Sequence, residues 1–202
     1  MLKANPHIAS ARGARARQLR IIAGRWRARR WRFPEGEIRP TSDRVRETLF
    51  NWLQGRTQGL RCLDLYAGSG ALGLEALSRG AAECVFVDQD ARVGAMLREL
   101  WQAWGVPSGA GHFVHADATR FLSGPARLFD LVFLDPPFAA AALGPVATRL
   151  ESGGWLAPGA LIYLEHPRSA ALAALAPPLP PDWRVLRQGT AGAVGYDLLV
   201  RP

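Results

Sequence analysis

Four apolar segments of strand length, separated by stretches of helical period, each reach an aspartate: Asp64, Asp88, Asp117 and Asp135. Asp64 lies in the last turn of 61–66, Asp88 closes 84–88, Asp117 follows 112–115, and Asp135 ends the run 129–134. Strands that alternate with helices return as parallel neighbours, with crossovers packed on both faces of one sheet. The expected class is therefore α/β, a Rossmann-like, doubly wound, mostly parallel sheet with ligands at the carboxyl ends of its strands. A strand at 160–165 and a closing antiparallel pair at 183–188 and 193–200 complete it.

The fourth of those segments ends in Asp135, Pro136, Pro137 and Phe138. Two prolines stop a ladder and stiffen a loop, which suits a concave reaction centre. The chemistry that uses such a loop is alkylation of an exocyclic amine, whose lone pair is spread into an aromatic ring. The Asp135 carboxylate and the Pro136 carbonyl can accept its two hydrogens, rehybridise the nitrogen and aim it at an electrophile. Pro137 fixes the loop and Phe138 offers a face for a base, worth roughly 1–3 kcal/mol. An ordinary proline turn explains Asp and Pro together, so the centre depends on the rest of the chain.

The first segment feeds a glycine loop that fits two patterns. Gly68, Gly70 and Gly73, with Asp88 twenty residues past Gly68, satisfy a dinucleotide fingerprint. Asp64 also makes D-x-x-x-G-x-G, which sets a carboxylate beside the loop, repels a pyrophosphate and suits a cation. S-adenosylmethionine supplies that cation. Its amino group can pair with Asp64, its ribose with Asp88 and its adenine amine with Asp117 and the following Ala118. Tyr66, Ala67, Gly68, Ser69 and Gly70 form the loop against which the methionine part would lie.

Charge places the partner surface. Residues 1–33 hold ten of the 25 Lys and Arg and none of the 17 acids, so the rest of the chain is close to neutral. A flexible basic tail over 1–18, a basic β-hairpin over 19–38 and a catalytic domain over 39–202 are expected. In the hairpin, Arg25, Arg27, Arg29, Arg30 and Arg32 can meet phosphates while Trp26 and Trp31 stack on bases. Cys62 and Cys84 sit among apolar strand residues as small hydrophobes. No histidine spacing suggests a metal, and no apolar run is long enough to span a bilayer. The start lacks the apolar core of a secretory signal; an Arg-rich start is also compatible with an organelle transit peptide.

After Arg39-Pro40 a helix begins, with Thr41 or Ser42 as N-cap and Val45, Leu49, Trp52 and Leu53 on its apolar side. Arg20-Ile-Ile-Ala-Gly24, Arg39-Pro-Thr-Ser-Asp-Arg-Val-Arg-Glu-Thr-Leu-Phe-Asn-Trp52 and Leu63-Asp-Leu-Tyr-Ala-Gly-Ser-Gly-Ala-Leu-Gly-Leu-Glu-Ala76 resemble the RsmD family. The likeness runs from about residue 19 to the C-terminus. It implies a class I S-adenosylmethionine-dependent methyltransferase with a seven-stranded sheet, acting on the N2 of one guanine in bacterial 16S rRNA. It also implies a place for Arg39, Arg44, Arg46 and Glu47 at the cofactor or RNA edge. Two departures stand out: Asp88 replaces a longer Glu, and Ala139-Ala140 follows the proline loop where a basic residue is common.

A cytoplasmic monomer working on 16S rRNA or the assembling small ribosomal subunit is expected, with no metal and no membrane. Three alternatives stay open: another base or a protein amide as acceptor, a non-catalytic RNA-binding module, and a dinucleotide dehydrogenase.

Overall fold

A computed structural model describes residues 18–34, 41–136, 140–169, 172, 175 and 177–202. Of the tail expected over 1–18, residues 1–17 lie outside the described residues, as do Arg39, Pro137, Phe138 and Ala139, while Gln18 opens the first strand.

The elements run β1 (Gln18–Arg20), β2 (Arg30–Arg32), α1 (Asp43–Trp52), β3 (Arg61–Asp64), α2 (Ala71–Ser78), β4 (Glu83–Asp88) and α3 (Ala91–Trp104). They continue as β5 (Gly111–His115), α4 (Ala118–Phe121), β6 (Phe129–Leu134), α5 (Ala140–Ser152), β7 (Leu156–Pro167), β8 (Arg184–Ala191) and β9 (Val194–Val200). Seven strands form one sheet in the order β5-β4-β3-β6-β7-β9-β8, parallel from β5 to β7. β9 then inserts antiparallel between β7 and the edge strand β8. This is the Rossmann-like, doubly wound, mostly parallel sheet that the alternation implied, with the seven strands that the resemblance implied.

Side chains leave successive strand positions on opposite faces, so each strand feeds two cores. Cys62, Cys84, Phe86, Leu131, Phe133, Leu161 and Tyr163 pack with α1, α2, α3 and the hairpin. Leu63, Val85, Val87, Val132, Leu134, Ile162 and Leu164 pack with α5 and the α4 turn. Both cysteines are buried and unbridged, as expected of small hydrophobes, and burial pushes their thiols up.

The hairpin β1–β2 pairs Leu19 with Trp31 and forms a sheet of its own. It docks on α2 through buried polar contacts. The Glu75 carboxylate accepts from the backbone N–H of Ile22 at 2.8 Å and of Ala23 at 3.0 Å. Ser78 donates to the Ala23 carbonyl at 2.7 Å and accepts from the Trp26 N–H at 3.0 Å. Trp26 and Trp31 therefore turn inward, both buried against Trp104. The expectation that Trp26 and Trp31 stack on RNA bases is corrected: their rings remove apolar area from water beneath the ribbon instead.

Between the strands Gly24 has φ +86°, and a Cβ there would collide with the Ser78 carbonyl oxygen. Gly24→Ala should cost about 2–4 kcal/mol, from a strained φ and a clash with backbone that cannot rotate away. Urea unfolding with an unchanged m-value checks this; a loss below about 1 kcal/mol would show that the docking is loose.

Candidate active site

β3 sits at the point where the chain's crossovers change direction, with β4 on one side and β6 on the other. Loops leaving neighbouring strands for opposite faces part there and open a crevice. A cleft of about 900 Å³ occupies that position, and both expected half-sites line it.

On one side lie Asp64, the loop 66–69, Asp88, Asp117 and Ala118. Asp64 is 2% exposed and accepts from the Gly73 N–H at 3.1 Å. Burial, against that bond and helped by nearby Asp88, pushes its carboxyl up to about 7. Asp88 accepts from the Gly68 N–H at 2.8 Å and, through its other oxygen, from the Asp90 N–H at 2.8 Å. It thus ties the glycine loop to the end of β4. Gly70 caps α2 at φ +75°, where a Cβ would lie 2.9 Å from Leu97. Asp117 is exposed and caps α4 through the Arg120 N–H. Tyr66 is half-buried, and burial pushes its phenol up to about 12, so it stays a neutral donor.

On the other side lie Asp135 and Pro136, with Glu165 and His166, which the sequence did not mark for the site, and Thr41, which it offered only as a helix cap. Leu134 pairs with Leu164, so Asp135 and Glu165 are the next residues on adjacent strands. Thr41 Oγ1 lies 2.7 Å from Glu165 Oε1 and 3.3 Å from Asp135 Oδ2; the shorter contact takes the hydroxyl proton. Tyr163 also donates to Glu165, at 2.8 Å. His166 is set between the Asp197 carboxylate at 2.8 Å and the Pro167 carbonyl at 2.9 Å. The segment from 166 contributes His166, Pro167 and Ser169 to the wall. A signal existed: an apolar strand ending in Glu-His-Pro repeats the pattern of one ending in Asp-Pro-Pro.

Ser42 is the N-cap of α1 and accepts from the Val45 N–H; Thr41, Ser42 and Val45 line the cleft. Of the expected RNA contacts, Arg25, Arg27, Arg29, Arg30, Arg32 and Arg44 are exposed. Arg46 is not. It is 0% exposed, donates to Arg20 O at 3.0 Å and to Asp43 at 2.6 Å, and lies 3.6 Å from Glu75. Its expected place at the RNA edge is corrected to a buried brace between α1, α2 and the hairpin.

The family described as "Conserved hypothetical protein 95" matches residues 19–200. The chain belongs to this family. Among its relatives, "Ribosomal RNA small subunit methyltransferase D" of Escherichia coli (strain K12) is 42% identical over 185 residues, covering 91% of this chain and 90% of that protein. The RsmD resemblance is thus borne out. A solved "putative methyltransferase yhhF" from Escherichia coli superimposes with a TM-score of 0.80 at 41% identity, over 91% of this chain and 98% of its own. A putative methyltransferase complexed with SAH shares the fold, at a TM-score of 0.65 and 16% identity. Among the described residues no helix is long and apolar enough to cross a membrane, and no cluster of three or more potential metal ligands occurs.

The raised Asp64 carboxyl has a measurable sign. Unfolded, it titrates near about 3.9; folded, it keeps its proton up to about 7. Between these values the folded chain carries a proton the unfolded chain has lost, so this group's contribution falls as pH rises. Relative to Asp64→Asn, the wild-type protein should lose about 1.4 kcal/mol of stability per pH unit between about pH 4 and 7, and no more above. Denaturant melts of both proteins across pH check it; parallel curves would return Asp64 to an ordinary carboxyl.

Proposed function

We propose that this chain transfers a methyl group from S-adenosylmethionine to the exocyclic N2 amine of a guanine in 16S rRNA of the small ribosomal subunit. The observation that carries the proposal is the meeting of Asp64 and Asp135 in one cleft: a buried carboxylate suited to a cation faces a carboxylate and carbonyl suited to an amine. The relatives' names, which specify small-subunit ribosomal RNA, support the substrate class.

The residues fit the cofactor. Asp64 is poised to gain a cationic partner, because a neighbouring ammonium restores the charge that burial disfavours. Asp88 would take the ribose, and Asp117 with Ala118 the adenine end. The loop 66–70 packs down on the core because Gly70 carries no side chain toward Leu97. When bound, S-adenosylmethionine supplies a methyl group on a positively charged sulfur.

The chain's own work is positioning. The target base leaves its stack at a cost of a few kcal/mol. Asp135 and the Pro136 carbonyl hold the two amine hydrogens, and Phe138 is assigned the stacking face. No strong base is needed before attack, since the amine proton becomes acidic only once nitrogen carries the methyl. Orientation alone can supply roughly 7–11 kcal/mol.

The exposed arginines of the ribbon are assigned the RNA backbone. Methyl transfer from labelled cofactor to small-subunit particles lacking the modification, with mass spectrometry of the product nucleoside, tests the whole proposal. Asp135→Ala should keep cofactor affinity within about twofold and lower turnover by about 100-fold or more; unchanged turnover would remove Asp135 from the reaction. Replacing Arg25, Arg27, Arg30 and Arg32 together by Gln should flatten the slope of log affinity against log salt by about 3. These positions are chosen because they are exposed, whereas removing the ribbon would uncover Trp26 and Trp31. An unchanged slope would place the phosphate contacts elsewhere.

A further inference from the structure

We propose that Glu165 is a specificity residue: beside Asp135 it accepts from the ring N1–H of the flipped base, so the site selects a base edge with two neighbouring donors. This rests on the methyl-transfer function proposed above and extends it to the choice of base.

The two carboxylates follow directly in register on adjacent strands, which run about 4.8 Å apart. Thr41 bridges them, and both line the cleft. Glu165 is 8% exposed, and a carboxylate so placed is costly unless donors hold it. The hydroxyls of Thr41 and Tyr163 are such donors. Burial and the facing Glu165 push the Tyr163 phenol up, so its proton stays in place. To these contacts the glutamate adds a negative charge in the cleft lining beside Asp135.

Base chemistry then decides the occupant. Beside its exocyclic amine, guanine carries N1–H, a donor. Adenine and cytosine carry a bare ring nitrogen next to theirs, an acceptor whose lone pair would face the second carboxylate. Asp135 alone can hold the amine of any of the three. Asp135 with Glu165 matches guanine and opposes the others by unpaired, like-signed contacts, the stronger form of discrimination.

The test uses the full-length protein and an RNA fragment spanning the mapped target, made with guanine or with 2-aminopurine, which keeps the amine but has a bare N1. Wild-type kcat/KM should favour guanine by about 100-fold or more. Glu165→Gln, whose amide can donate to that bare nitrogen, should lower kcat/KM on guanine by about 10- to 100-fold. It should also narrow the preference by at least about tenfold, with cofactor affinity unchanged. Loss of the O6 group in 2-aminopurine affects both enzymes and cancels in the ratio of ratios. Equal losses on both substrates would make Glu165 a mere buttress and overturn the inference. A wild-type enzyme indifferent to the two bases would overturn it even if the variant failed to fold. Failure of the parent proposal looks different: the nucleoside methylated in small-subunit particles would then be something other than N2-methylguanosine.

Discussion

The parallel ladder between β3 and β6 sets the geometry of everything above it. Cys62 pairs with Leu131, Leu63 with Val132 and Asp64 with Phe133, so Asp135 stands two residues, about 6.6 Å of strand, beyond the level of Asp64. A slip of one residue would turn every side chain of one strand to the opposite core and separate the two carboxylates. What resists the slip is mainly burial, since the paired residues of this ladder are almost wholly enclosed. Arg61 adds a clamp at the opposite end, donating to Asp130 through its backbone N–H, Nε and Nη2, each at 2.9 Å. That pair is partly exposed and worth at most about 1 kcal/mol, so it trims the register rather than creating it.

A second constraint joins the ribbon to the site. Every residue of α2 is buried, because the sheet covers one side and the hairpin the other. Glu75 on this helix would be an expensive buried charge by itself. It is held by two backbone N–H groups of the ribbon and by Arg79 Nε at 2.7 Å. Trp31 of the same ribbon donates its indole N–H to Ser69 O at 2.8 Å, inside the glycine loop. The surface assigned to RNA and the loop assigned to the cofactor therefore rest on one helix and cannot shift independently without breaking buried hydrogen bonds.

These long-range ties explain what the sequence could and could not disclose. Period-two and period-3.6 apolar patterns report which face a residue buries, and they located every strand of the main sheet, α1 and the strand-end aspartates. They are silent about partners far away in the chain. Arg46 lies between Val45 and Glu47 on a charged helix and looks solvated; its burial becomes visible only when Arg20 O and Glu75 are brought beside it. Trp26 among arginines gives the same pattern whether it stacks on a base or on Trp104. Glu165 ends a strand just as Asp135 does, but one proline after a histidine is a weaker mark than two in succession.

Charge is sorted by depth, and that sorting bears on how a polyanion can be a substrate. Asp64, Asp88, Asp117, Asp135 and Glu165 line the cleft, where Arg92, the arginine among the described lining residues, is paired with Asp90 at 2.7 Å. The exposed arginines of the ribbon, and Arg44, stand outside that lining. At physiological salt, fields between exposed charges decay over about 8 Å, whereas those inside a low-dielectric cleft persist. A phosphate chain is drawn to the rim and repelled from the interior. A base, neutral and rich in donors, meets no such barrier once it leaves its stack, and a cationic cofactor is favoured there. Under the proposed function, the same acidic lining that would reject a dinucleotide's pyrophosphate would hold an RNA backbone at the mouth and admit the base.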